Sequence, residues 1–279
     1  MTGQKQQSLR KLLAGVPQGF LVDSAWLKAN AIGRRSAYDY VAHGWLERLA
    51  HGVYRRPTQN VSPSNTVDWK ISLLSVQHIM GYNVHVGGTT ALAQYGHSHY
   101  LRLGGNVPVW LYGAHIPNWL KKLPLDAPLQ TRTTSLFADL ALGLEQSNDA
   151  KPSSASSDLP WEWSLRLSTP ERAILEALDE LPDHESFHNL DMIFESLTNL
   201  RPRKLAELLK SCTKIKVKRL FFVFADHHTH AWRKHLNPED FNLGRGDRAL
   251  IKGGRIHPQY RIMVPEEFTY PKSETHNGA

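Results

Sequence analysis

Cysteine is almost missing from this sequence. Cys212 is alone among 279 residues, which excludes an internal disulfide and any zinc site built from several thiolates. No run reaches the roughly 18 apolar residues that a membrane-spanning helix needs. The opening residues, Met1-Thr2-Gly3-Gln4-Lys5-Gln6-Gln7, are polar and lack the apolar centre of a secretion signal. Together these absences point to a soluble protein of a reducing cytoplasm. Neither Gly-x-x-x-x-Gly-Lys nor Gly-x-Gly-x-x-Gly occurs, so the common phosphate-cradling loops are absent. What is present suffices for folding: 41% of residues are hydrophobic, and the length suits about two domains.

Acidic pairs placed for metal chemistry are also scarce. A restriction-type nuclease needs an acid followed by Asp/Glu-x-Lys on a neighbouring strand. No Glu-x-Lys occurs, and Asp68-Trp69-Lys70 and Asp149-Ala150-Lys151 fall in an expected helix and an expected loop. A nucleotidyltransferase needs Asp-x-Asp or Asp-x-Glu soon after a Gly-Gly-Thr turn, but Asp183-His184-Glu185 lies far along the chain, after Pro182. The clusters Asp226-His227-His228-Thr229-His230 and His97-Ser98-His99 have the residue types of metal ligands. Adjacent histidines at a strand end splay apart, however, so they read as loop residues. Cys212 lies near Lys210 and Lys214, which would lower a thiol pKa; without a partner histidine it reads as packed. We assign no catalytic residue, no metal ligand and no cofactor.

The net charge of +7 is unevenly spread. Residues 1–57 hold nine Lys/Arg against three Asp/Glu, which accounts for most of the excess. Further on, residues 158–195 carry ten acids and two bases, whereas residues 201–261 carry fifteen bases and five acids. Such blocks suit a polyanion, or two faces that attract each other.

Residues 8–57 read as three short helices and a hairpin. Asp23 stands at an N-cap position ahead of Ala25, Trp26, Leu27, Ala29 and Ile32 at helical spacing. Gly33 ends that helix, and a third begins at Arg34. Ala37, Tyr40, Val41 and Trp45 share one of its faces, leaving Arg34, Arg35, Tyr38 and Asp39 on the other. Trp45–Leu49 and Val53–Arg56 read as strands around an Ala50-His51-Gly52 turn. This order is that of a winged helix-turn-helix, whose second motif helix enters the major groove. Arg34, Arg35, Ser36 and Tyr38 then face base edges or phosphates, while Arg48, His51, Arg55 and Arg56 contact the backbone.

Residues 58–65 read as a linker and 66–279 as a larger mixed α/β (α+β) domain. In it, Val84–Val86 and Pro108–Tyr112 are expected strands, and Gln146–Ser157 a mobile loop. Gly87-Gly88-Thr89-Thr90 is expected to open a helix with a threonine cap in preference to a phosphate site. Ser168-Thr169-Pro170-Glu171 has the composition of a helix start, with a capping hydroxyl and proline in the first turn. Helices are expected near Asn189–Leu197 and Arg203–Ser211. Lys214–Phe224 is expected as a central strand with Lys214, Lys216 and Lys218 on one face. With Arg201, Arg203, Lys204 and Arg219 they form a candidate second basic surface, facing either a nucleic acid or the acidic block before it.

In its ordered motifs the chain resembles the AbiEi-type antitoxins of type IV (abortive infection) toxin–antitoxin systems. The motifs are Gly44–Arg56, Gly87–Leu92, Gly96–Leu101, Ser168–Ala173, Leu200–Lys204 and Lys216–Leu220, and the likeness spans about residues 8–265. The resemblance implies a bacterial antitoxin whose winged helix binds inverted or direct repeats in double-stranded promoter DNA and represses its operon. It implies that the C-terminal part counteracts a nucleotidyltransferase-like toxin. It carries a backbone-contacting role onto Arg48, His51, Arg55 and Arg56. At Arg34-Arg35-Ser36, where relatives often place Ser or Thr, two arginines leave the operator sequence open. The other reading of the residues is a DNA-targeted enzyme, a nuclease or nucleotidyltransferase, carrying a winged-helix module.

Overall fold

A computed structural model describes residues 3–58, 66–97, 107–133, 135–146 and 163–270. Most of the expected linker (59–65), most of the expected loop (147–157), and Ser98 and His99 lie outside the described residues. The chain forms two compact units. One comprises Met1–Val86, Gly104–Thr133 and Gln146–Leu167, the other Gly87–Leu103, Thr134–Glu145 and Ser168–Ala279. The fold is mixed α/β, as expected.

The first unit begins with α1 (Gly3–Gly15), β1 (Leu21–Asp23), α2 (Ser24–Ala29), α3 (Arg34–Ala42), β2 (Glu47–Ala50) and β3 (Val53–Arg55). The strands form an antiparallel sheet in the order β1-β3-β2. Leu12, Val16, Leu21, Leu27, Tyr40, Leu46 and Val53 are buried beneath it. As expected, Asp23 caps α2, its carboxylate accepting from the Trp26 amide at 2.8 Å. Gly52 holds the hairpin turn at φ +75°, and a Cβ there would meet Ser24 Oγ at 2.9 Å. Glycine is therefore required both by its left-handed backbone and by its close approach to the start of α2.

The chain continues with α4 (Trp69–Leu74), a single π-turn over Ser75–Ile79, β4 (Val84–Val86), α5 (Gly88–Gln94), β5 (Val109–Gly113) and β6 (Leu129–Arg132). After these come β7 (Leu144–Gln146), β8 (Arg166–Ser168) and α6 (Pro170–Asp179). The larger sheet runs β6-β5-β4-β8-β7, with β4 antiparallel to β5 and parallel to β8. The π-turn holds the parallel pair. Gln77 Nε2 donates to the Val84 carbonyl at 3.1 Å, and its Oε1 accepts from the Arg166 amide at 3.0 Å.

The second unit is mainly helical, built on α5, α6, α7 (Phe187–Ser196), α8 (Pro202–Ser211) and α9 (Ile215–His227). Two short strands, β9 (Arg255–Ile256) and β10 (Met263–Val264), pair antiparallel. Its core joins Leu92, Ile174, Leu190, Phe194, Leu208, Phe221 and Phe224.

Three local expectations need correction. The Lys214–Phe224 strand is the helix α9. Every residue from Val217 to Ala225 is buried, and a short apolar run buried on all sides has the same periodicity in a helix as in a central strand. Lys214 is then the extended N-cap residue, and Lys216 and Lys218 sit about 200° apart around the axis, at 3.6 residues per turn, so the three lysines do not line one face. The threonine cap on α5 does not form: Gly87 holds the N-cap position without a side-chain bond. The Gly88 amide donates instead to the buried Glu176 carboxylate at 3.1 Å, and Thr89 Oγ1 donates to Glu185 at 3.0 Å. Helix α6 starts with Pro170 as expected, but Thr169 makes no capping side-chain bond. Ser168 Oγ donates to Glu176 at 2.7 Å.

Candidate nucleic-acid interface

Helix α3 divides by burial as its spacing demands. Ala37 and Tyr40 are buried, while Arg34, Arg35 and Tyr38 are exposed, Tyr38 to 76%. Ser36 is half-buried. Tyr38 therefore presents its ring on the exposed face of α3. Gly33, extended at φ −72°, sets the start of α3 without a side-chain cap.

On the hairpin, four basic residues divide into two pairs. Arg48 and His51 are exposed, and Arg48 makes a long bond, 3.4 Å, to the Ala50 carbonyl. Arg55 instead pairs across the strands with Glu47, at 2.7 and 3.1 Å. Arg56 turns inward, its Nη1 donating to the carbonyls of Leu13 and Val16 at 2.8 and 2.7 Å. Burial pulls its pKa below the ordinary guanidinium value. Sequence reasoning grouped all four as phosphate contacts; here two are exposed and two join strand to strand and hairpin to α1.

A cleft of about 730 Å³ opens between α3 and the hairpin. Arg34, Tyr38, Arg48 and His51 line it, together with Tyr54, Tyr82 and Trp119. Arg35 and Ser36 are outside its lining. Asp23, 4% exposed, anchors its floor. While one carboxylate oxygen caps α2, the other accepts from Tyr82 Oη at 2.6 Å and Trp119 Nε1 at 3.3 Å. Burial, reinforced by this bond, pushes the Tyr82 phenol up to about 12, so it stays a donor at neutral pH. Leu21 N donates to Ser75 Oγ at 2.9 Å, tying β1 to the π-turn. Residues 1–57 thus rest on Ser75, Tyr82 and Trp119, a support that local sequence patterns did not reveal.

The second basic group lies differently. Arg201 binds Glu171 through Nε at 2.8 Å and Nη2 at 2.9 Å. Burial pushes the Glu171 carboxyl up, but these bonds outweigh it and hold the pKa below its ordinary value. Lys204 meets Glu145 at 2.6 Å. Lys214 and Lys216 both reach Asp179, at 2.5 and 3.5 Å, and Lys216 also donates to the Asp179 and Leu181 carbonyls. Arg219, 2% exposed, clamps the carbonyls of Leu243, Gly246 and Arg261 at 2.7 Å each. Lys218 is buried, and Arg203 is exposed.

The remaining candidates have structural partners. Burial pushes the Cys212 thiol up despite the nearby lysines. His227 and His228 end α9: His228 Nε2 meets Asp191 at 2.5 Å, and His227 Nδ1 meets the Tyr270 carbonyl at 3.0 Å. His230 Nε2 bonds the Phe194 carbonyl at 2.7 Å. Among the described residues no group of three metal-binding side chains converges. No described helix is long and apolar enough to cross a membrane.

Two family models match this chain. Residues 5–103 match the N-terminal domain of the AbiEi antitoxin, a transcriptional regulator. Residues 106–265 match the AbiEi antitoxin transcriptional regulator of type IV toxin–antitoxin systems. The chain belongs to the AbiEi antitoxin family. It is also similar in fold to the crystal structure of the RV2827C protein from Mycobacterium tuberculosis, with a TM-score of 0.55 and 15% identity over 92% of this chain and 89% of that one. No curated protein matched. For an AbiEi antitoxin, DNA and a toxin are the partners that family membership implies.

Proposed function

We propose that residues 1–57 of this AbiEi antitoxin are a winged helix-turn-helix that binds repeats in its own promoter and represses its operon. Residues 66–279, on this reading, counteract a nucleotidyltransferase-like toxin in the cytoplasm, and the protein acts by binding rather than by catalysis. The observation that carries the DNA reading is the shared cleft, in which Arg34 and Tyr38 of α3 face the same opening as Arg48 and His51 of the hairpin. In a winged helix these elements meet the major groove and the adjoining backbone. On this reading Arg35, exposed on α3 but outside the cleft lining, contacts base edges, where a bidentate pair is worth ~1–3 kcal/mol of discrimination. Arg55 and Arg56 are already engaged, so phosphate contacts fall mainly to Arg34 and Arg48.

The test is fluorescence anisotropy with a duplex from the region upstream of the reading frame and a scrambled duplex of equal length. Tight binding to the first and weaker binding to the second is expected. Arg35→Ala should narrow that gap. Equal affinity of the wild-type protein for both duplexes contradicts operator recognition.

A further inference from the structure

The connection between β5 and β6 carries an unassigned basic surface. Residues 107–133 contain Lys121, Lys122 and Arg132 against one acid, Asp126. That acid is already occupied: its carboxylate accepts from the Trp69 amide at 2.8 Å, at the start of α4. Leu120, fully buried, pins the turn from within, and so Lys121 and Lys122 project from it exposed, as does His115. A cavity of about 500 Å³ lies here, lined by His115, Asn118, Lys121, Thr131, Arg132 and Thr133 among others. Among the described residues, its lining contains hydrogen-bond donors and cations and no carboxylate. This cavity shares Pro117 with the cleft of α3 and the hairpin. The next residue but one, Trp119, is bonded to Asp23, the cap of α2.

We propose that this loop is a second DNA-contacting element: it holds backbone phosphates of the duplex that flanks the segment read by α3. The inference rests on the DNA-binding reading above and adds residues outside the 1–57 module to it. Phosphate contacts need only positive charge and N–H or O–H donors, without base information. The Asp23 bonds fix the loop relative to the start of α2 in the free protein, so little ordering is required when DNA binds.

The full-length chain is titrated against random-sequence duplexes of about one and about three helical turns, roughly 10 base pairs per turn, over a series of salt concentrations. Each phosphate neutralised contributes about 0.9 to the log–log salt slope. The wild-type slope is expected to steepen by about 2 from the short to the long duplex. In the Lys121→Gln/Lys122→Gln variant, folded by circular dichroism, the slope should be the same on both. The inference is overturned by a variant that steepens as the wild type does, by a wild type that does not steepen, or by a variant whose slope drops equally on both lengths. If the wild type binds neither duplex, the DNA-binding reading itself fails and this extension falls with it.

Discussion

In residues 34–48 the arginines at 34, 35 and 48 stand exposed, two of them beside one cleft. In residues 201–216 the cations at 201, 204, 214 and 216 each meet a carboxylate. Both stretches are rich in basic residues; they differ in the acids available to them. The first module has three acids, of which Asp23 is a helix cap and Glu47 holds Arg55. The second follows a block of ten, and Glu171 and Asp179 from that block, with Glu145 before it, do the pairing. A local excess of charge therefore indicates a polyanion surface only when the fold supplies no carboxylates to absorb it.

If the second unit uses its charges for structure, its most buried pair should be the most sensitive. Arg172 is fully buried, with Glu176 at 2.8 Å, the carbonyls of Leu140 and Leu142 at 2.9 and 2.6 Å, and its guanidinium over the Phe137 ring. Arg172→Met takes the guanidinium from the buried Glu176 carboxylate, which keeps the Gly88 and Ser168 donors, and should cost about 3–5 kcal/mol in urea denaturation. A loss below about 1 kcal/mol would break the structural half of the comparison.

In the first unit the corresponding anchor is Asp23. Asp23→Ala removes a helix cap, worth roughly 0.5–2 kcal/mol, and strands the Tyr82 hydroxyl, at roughly 1–3 kcal/mol. A loss of about 2–4 kcal/mol is expected from the two together. Stability close to wild type would mean that residues 1–57 do not depend on that support.

Lys214→Gln combined with Lys216→Gln should lower stability by only about 0.5–1.5 kcal/mol, since half-exposed ion pairs contribute little each. Duplex affinity should be nearly retained. A large affinity loss with unchanged melting would instead restore this group as a nucleic-acid surface.

The smallest expected effect is one of pH. The Glu171 pKa is lower folded than its ordinary value of 4.5, so its pairing stabilises the protein fully above that value. The contribution fades as pH falls through 4.5 toward the folded pKa. The stability difference between wild type and Glu171→Gln should therefore shrink below about pH 4.5; a difference that grows on acidification contradicts the pairing.

The legible parts of the sequence were those set by local chemistry. Asp23 as a cap, Gly52 as a turn and Pro170 as a helix start all act within a few residues. What stayed hidden depended on distant partners. β1, only Leu21–Asp23 and wholly buried, is too short to alternate and exists through pairing with β3. The roles of Arg55 and Arg56 rest on Glu47 and on carbonyls more than 39 residues away at Leu13 and Val16. Helix α9 read as a strand because burial on all sides erased its period. At the candidate interface, Arg34, Tyr38, Arg48 and His51 were named from spacing alone, whereas Tyr82 and Trp119 enter the same cleft from remote segments that no local pattern links to it.

The contrast between the two basic regions is tested most directly by parallel salt titrations of duplex binding with wild type, Arg34→Ala/Arg35→Ala/Arg48→Ala, and Lys214→Gln/Lys216→Gln. Removing the two exposed phosphate contacts of Arg34 and Arg48 should flatten the log–log slope by about 1.8, at 0.9 per phosphate, while the lysine pair leaves it within about 0.5 of wild type. A lysine variant that flattens the slope as much as the arginine variant would contradict the account.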